Sequence, residues 1–435
     1  MSNLAAEIER TIHAHRLPAL EDALPEGEFV LPRYADLSLV NLPATSAALL
    51  GVTLPGAPPL PHDIWKPFAG GVRCVIRVII DALGYYRLQR LMAAHPDTLF
   101  HQLLGQGARL IPLTSVCPST TVSALSSLWT GYTPAAHGMV GTRLFLRDKG
   151  LQAHMIYFNP IGFKNHNALL EEGMDPGQFL PVPGMAAQLA AQGIESHVFI
   201  NRHIVDGGLS DIFFRGVKTL HGFVGGSSAD LWHMLRHFLE ERTGERLFIS
   251  VYWGLIDSLS HQRGPSSPLI DAEVRSWTAM MQQEFLDRLS PAAAAGTVLT
   301  FVSDHGQVDI SCADAVRLDH HPQLTADLLM KPVGEARLPF LYARQGRVAA
   351  VRRYVREHLG HAFVVLDSAQ ALEAGLFGPG SLAPETAARL GDLILVSRRR
   401  HILYDRDDEL DWLGLHGGLS AKEMLVPFMI TRLDR

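Results

Sequence analysis

Three strongly apolar runs carry acidic residues at their ends: "VRCVIRVIID" closes on Asp81, "RLFISVYWGLID" on Asp257, and "TVLTFVSDHG" holds Asp304. Runs that stay apolar, without polar alternation, suit strands buried on both faces. Segments with helical spacing stand between such runs, among them "GYYRLQRLMAAH" and "SADLWHMLRHFLEERTGE". Further strands are expected at 108–115 and over "AHMIYF", "SHVFI", "LPFLYAR", "AFVVLD" and "GDLILVSR". Alternating strands and helices predict an α/β fold, with a largely parallel central sheet and helices on both faces.

Residues 1–70 are rich in proline and lack periodicity, and read as an N-terminal lead-in packed on the core. Residues 71–435 then form the main domain, with a less regular stretch around 142–225 expected as an insertion or cap over the site. The chain is 47% apolar and 19% charged, enough to bury a sizeable core. Its net charge is −6 and no long basic block occurs, so contact with a nucleic-acid duplex is not expected. No run of about 18 apolar residues predicts a membrane span. Cys74, Cys117 and Cys312 lie far apart without CxxC spacing. That fits a reducing compartment, and a cytoplasmic location is the expectation.

In open α/β sheets, ligands bind at the carboxyl ends of the strands, which is where Asp81, Asp257 and Asp304 fall. Asp257 and His261 are four residues apart and share a face on a helical turn. Asp304 and His305 are adjacent, and to converge they need a bend, which Gly306 makes cheap. His416 stands among Gly414, Gly417 and Gly418. Singly, each motif reads as a helix cap or a surface loop. Together, Asp81, Asp257, His261, Asp304, His305 and His416 form a nitrogen and oxygen donor set without a thiolate. That set suits two divalent ions, zinc first, with manganese or iron as other occupants. A two-metal site also needs a nucleophile, either water or a metal-held hydroxyl. "SVCPSTTVSALSSLWTG" (115–131) offers eight hydroxyls at a strand-to-helix turn.

In chain order, "VIIDALG", "CPSTTVSALSSLWTGYTPAAHGMVG", "IDSLSHQRGP", "SDHGQ" and "LHGGLS" resemble the alkaline phosphatase superfamily. More closely, they resemble its type I phosphodiesterase/nucleotide pyrophosphatase family and bacterial relatives. The resemblance spans residues 72–420 and implies an alkaline phosphatase-like core. It implies Thr121, three residues after Pro118, as a nucleophile that bridges the metals. One metal would be held by Asp257, His261 and His416, the other by Asp81, Asp304 and His305. The family places a phosphate-holding Asn three residues after the nucleophile, and this chain has Ala124 there. The Thr121 amide and Arg143 are the candidates for that role. His137 reads as structural.

The implied activity is hydrolysis of a small phosphoric ester or nucleotide through a phospho-threonine intermediate. Alternatives are a phosphomonoesterase or phosphonate hydrolase of the same superfamily and, more distantly, a non-catalytic binding protein stabilised by metal.

Overall fold

The computed structural model describes residues 3–404 and 412–434. Its centre is a seven-stranded sheet of β1 (Cys74–Ile80), β2 (Arg109–Thr114), β3 (Glu195–Asn201), β4 (Thr219–Phe223), β5 (Leu247–Trp253), β6 (Thr297–Val302) and β7 (Leu425–Arg432). Their spatial order is β2-β7-β6-β1-β5-β3-β4. β1 runs parallel to β5 and β6, and β3 runs parallel to β4 and β5. Only β7 runs against its neighbours, β2 and β6.

β1 is buried along its whole length. Because side chains alternate across a strand, Val75 and Ile79 enter one core, while Cys74, Ile76, Val78 and Ile80 enter the other. The first core packs on Val122, Leu125 and Leu128 of the helix Thr121–Thr130. The second packs on Leu88, Trp232 and Trp277, from helices Tyr85–Ala94, Ser228–Glu241 and Pro268–Glu284. Helices therefore cover both faces, as expected.

One charge breaks the apolar pattern of β1. Arg77 is 1% exposed, with its guanidinium between Trp129 (5.1 Å) and Phe248 (4.9 Å). It donates to the Leu128 carbonyl (2.8 Å), near the negative end of the Thr121–Thr130 helix. Burial lowers its pKa to about 9.

A second seven-stranded sheet, antiparallel throughout, pairs strands from distant parts of the chain. Arg143–Leu146, Leu151–His154 and Asn159–Pro160 join Val333–Glu335, Leu338–Leu341, Phe363–Asp367 and Leu393–Ser397. The stretch 142–225 is thus divided: its first strands belong here, while β3 and β4 complete the central sheet. The lead-in bonds to the site's neighbourhood. The Cys117 N–H donates to the Tyr34 hydroxyl (3.0 Å), and the Val30 N–H to the Leu419 carbonyl (2.8 Å). No helix among the described residues is long and apolar enough to cross a membrane. The three cysteines are unpaired.

His137 is fully buried beneath the Thr121–Thr130 helix. Its Nδ1 accepts from the Met139 N–H (3.1 Å), so its Nε2–H donates to Ser127 Oγ (3.0 Å). Burial, helped by Arg389, lowers its pKa to about 3. Above about pH 6.5 the ring is neutral folded or unfolded. Between there and about 3 only the unfolded chain takes up the proton, so stability falls as pH falls through that window. The contribution reaches about 3 kcal/mol near pH 4. Denaturant titrations at pH 7 and pH 4 are expected to give a smaller pH-dependent loss for His137→Asn than for the parent chain.

Candidate active site

Chain turns at the carboxyl ends of β1, β5 and β6 supply most of the site. Asp81 directly follows β1, 2% exposed. Its Oδ2 accepts from the Tyr252 hydroxyl, and its buried Oδ1 has no hydrogen-bond partner. The run expected to reach Asp257 as one strand stops at Trp253; Gly254 turns the chain into the helix Leu255–Arg263. Asp257 lies in its first turn, and His261 Nε2 is 3.2 Å from Asp257 Oδ1. Gln307 Nε2 donates to the same oxygen.

Asp304 and His305 follow β6 and are fully buried. Ala82, left-handed at φ 61°, aims its N–H at Asp304 Oδ1 (3.2 Å), which also accepts from the His305 N–H (3.0 Å). Asp304 Oδ2 has no hydrogen-bond partner and lies 3.5 Å from His305 Nε2. Gly306 answers a different need from the expected bend. A Cβ there would sit 2.0 Å from the Lys422 carbonyl oxygen, so close backbone approach requires glycine. Val308–Asp309 then pairs with Gly414–Leu415, which brings the late His416 beside His305, their rings stacked at 3.7 Å.

Thr121 is the first residue of its helix and 8% exposed. Its Oγ1 lies 3.1 Å from His305 Nε2. Thr120, at the N-cap, makes no capping bond; its hydroxyl sits 3.1 Å from Thr142 Oγ1 instead. The first-turn amides therefore lack a side-chain acceptor, and such amides favour an anion.

All seven predicted residues thus lie together. His261 Nδ1 meets the Gly414 carbonyl (2.7 Å), His416 Nδ1 that of Ser119 (3.1 Å), and His305 Nδ1 that of Gly306 (3.1 Å). Each contact assigns the proton to Nδ1 and leaves the Nε2 lone pair facing carboxylates. His305 Nε2 is 3.4 Å from Asp81 Oδ1, and His416 Nε2 is 3.7 Å from Asp257 Oδ1. Acceptors facing acceptors at these distances, with two orphaned carboxylate oxygens beside them, fit divalent cations. Donor atoms within 4.8 Å of one another form two groups: Asp257, His261 and His416; and Asp81, Asp257 and His305. Asp304 adjoins the second group: its Oδ1 is engaged by two backbone N–H groups, and its Oδ2 lies 3.5 Å from His305 Nε2.

The electrostatics agree with this donor set. Burial, then Asp304 and Asp257, hold the Asp81 carboxyl well above the usual range. Burial and the charge of His305 push His416 well below the usual imidazole value. At Asp257 burial acts upward, but positive charge on the neighbouring imidazoles, His261 foremost, outweighs it and holds the carboxyl low. Against burial, Asp257 in turn raises His261, so a bound cation would take the place of the proton on its Nε2.

The sequence reading missed Tyr252, Gln307 and Glu423. Gln307 follows the Asp-His-Gly run directly, which was the available signal. Glu423 forms a fully buried two-pronged pair with Arg337 (2.5 and 2.9 Å) and accepts from the Gly418 N–H (2.8 Å) and from Ser420. This pair fixes the loop that carries His416. Glu423→Gln is expected to cost about 3 kcal/mol, because a buried guanidinium loses its counter-charge, and to weaken metal binding. Denaturant unfolding and metal titration check both. Arg337→Met with Glu423→Met should recover only part of the stability, because the Gly418 N–H and the His401 and Arg399 carbonyls lose their partners, and none of the metal affinity.

Thr121 and Asp257 line two adjoining cavities of about 380 Å³ each. Thr142, Arg143 and Glu335 line the polar one, with His261 and His416. Of the aromatics near the site motifs, Trp129 and Trp253 line the other cavity, Tyr85 is buried in the core, and the Tyr86 hydroxyl meets His13 (2.9 Å).

This α/β core, with carboxylates and imidazoles gathered at its strand ends, defines a metal-dependent hydrolase of the alkaline phosphatase type. Residues 75–158 and 209–419 match the family model "Type I phosphodiesterase / nucleotide pyrophosphatase". The chain belongs to that family, whose members hydrolyse phosphoric ester bonds. No curated protein matches it by sequence. Among solved structures, murine ectonucleotide pyrophosphatase/phosphodiesterase 5 superposes with a TM-score of 0.63 at 16% identity, covering 82% of this chain and 87% of that one. Its inactive threonine-to-alanine variant in complex with AMP gives 0.62 at 16%, with the same coverage. Phosphonoacetate hydrolase from Sinorhizobium meliloti 1021, in complex with phosphonoformate, gives 0.59 at 19%, covering 83% and 90%.

Proposed function

We propose that this chain is a two-metal phosphodiesterase of the nucleotide pyrophosphatase type, with Thr121 as nucleophile. The carrying observation is the position of Thr121: its hydroxyl stands at an uncapped helix start, 3.1 Å from His305 Nε2, which lies 3.4 Å from Asp81 Oδ1. Asp257, His261 and His416 would hold one cation, and Asp81, Asp304 and His305, with Asp257 at their edge, a second. Zinc suits this set best, with manganese and iron as other occupants. Bound cations lower the pKa of a nearby hydroxyl and neutralise phosphate charge.

The Thr121 hydroxyl gives up its proton to solvent and Oγ1 attacks phosphorus. The Oγ1–P bond forms as the ester P–O bond breaks, and the alcohol leaves with a proton from water. The first-turn amides of the Thr121–Thr130 helix donate to a phosphate oxygen, taking the place of the side chain that Ala124 lacks, and Arg143 stands at the cavity wall nearby. Water then cleaves Oγ1–P, restores the hydroxyl and releases the phosphomonoester. In the murine relative a threonine-to-alanine variant is inactive, the outcome this reading expects here.

The test is metal analysis of the purified protein together with a panel of a phosphodiester, a phosphomonoester, a phosphonate and a sulfate ester. Fastest turnover of the diester is expected. Phosphonate hydrolysis is the second reading, supported by the fold shared with phosphonoacetate hydrolase; a phosphonate preference in the panel would replace the first with it. No turnover on any member would sink both.

A further inference from the structure

The two cavities meeting at Thr121 differ in chemistry. The polar one carries Arg143 and Glu335. The other is walled by Leu125, Trp129, Phe213, Phe214, Phe223 and Trp253. Its rings pack edge-on or stacked: Trp129 on Phe214 (5.1 Å) and Phe223 on Trp253 (5.7 Å). Among the described residues lining it there is no lysine or arginine.

Its polar side chains are largely committed elsewhere. Tyr252 donates to Asp81, Ser210 to the Ile204 carbonyl, and Asn167 Oδ1 accepts from the Gly208 N–H (3.0 Å). Asn201 Oδ1 accepts from the His203 N–H (3.0 Å). A second phosphate in this cavity would find no permanent cation on its wall, only the exposed imidazoles of His166 and His203 and the carboxylate of Asp206, and burying it deeper is costly.

The rim adds apolar surface. Ile204 lines this cavity, and Ile156 and Tyr157 stand where it adjoins the polar one and line both; the three are 42%, 44% and 42% exposed, a cluster of large apolar side chains open to solvent. Tyr157 is held in place between the rings of His154 (4.3 Å) and His166 (4.6 Å). Apolar surface is thus presented from the rim down to the reacting hydroxyl.

We propose that this cavity selects phosphodiesters with one neutral, apolar alcohol arm, in preference to phosphoanhydrides and other polyanionic nucleotides. This rests on the phosphodiesterase reading above and narrows its substrate class. The neutral arm lies in the apolar cavity, and the charged phosphate stays at Thr121.

The test begins with turnover of bis(p-nitrophenyl) phosphate. If none occurs, the phosphodiesterase reading itself fails. With turnover established, inhibition constants against that substrate are measured for dimethyl, methyl butyl and methyl hexyl phosphate, and for ADP. Transfer of one methylene out of water corresponds to about a fourfold gain, so the inhibition constant should fall about fourfold per added methylene. Methyl hexyl phosphate should also bind more tightly than ADP. Leu209→Lys, which sets a cation in the lining, should flatten the alkyl series and tighten ADP; a thermal melt checks that this variant is folded. An alkyl series already flat in the parent protein, or ADP binding more tightly than the hexyl ester, would overturn the inference and leave phosphodiester hydrolysis standing.

Discussion

Thr121→Ala is expected to lower kcat by about a thousandfold or more, with metal content unchanged. The substitution removes the one hydroxyl beside His305 Nε2 at the helix start. It leaves Asp81, Asp257, His261, Asp304, His305 and His416 in place. Alanine is a good helix former, and Thr120 still occupies the N-cap, so unfolding free energy should change by no more than about 1 kcal/mol. Thr121→Ser keeps the oxygen without the γ-methyl that restricts its rotamers, and should retain part of the rate. Steady-state kinetics and metal analysis on the same preparations separate chemistry from metal loss. An alanine variant turning over at the parent rate would remove Thr121 from the mechanism.

Asp257→Asn is the second large effect. Asp257 belongs to both donor groups, so its charge serves every cation the site could hold. It is also the carboxylate beside His261 and His416. An amide in its place keeps the shape, loses the charge and turns an N–H₂ toward one of those neighbours. Metal affinity should fall by more than the ~10- to 100-fold typical of removing a supporting hydrogen bond. Gln307→Ala takes away only the bond to Asp257 Oδ1 and should fall within that range. Metal titration followed by activity at saturating metal tests the order Asp257→Asn, then Gln307→Ala, then parent.

How much of this was legible depended on sequence distance. β1 and β2 were readable because each is a short, mostly apolar run: 72–81 was expected against Cys74–Ile80, and 108–115 against Arg109–Thr114. Asp257 was found but set at a strand end, because "VYWGLID" stays apolar across Gly254, where strand gives way to helix. The antiparallel insertion of β7 between β2 and β6 was not readable, since nothing local in "LVPFMITR" records strand direction. The second sheet was hidden likewise: Gly334 pairs with Arg143 across 191 positions of chain. Tyr252 and Glu423 act through partners far along the chain, and no spacing rule reaches them.

Arg77 lies in the middle of β1 and Asp81 just past its end, four residues on, so the alternation of the strand sets both toward the same side of the sheet. Arg77 grips the tail of the Thr121–Thr130 helix through the Leu128 carbonyl, and Asp81 stands beside the cluster at that helix's head. The strand thus works as a ruler laid along the helix, and it tolerates point changes better than changes of length. Inserting or deleting one residue between the two marks would turn one of them to the opposite face. In this chain, loops and caps around the core are therefore free to change length, while the four-residue interval from the buried cation to the first carboxylate is not.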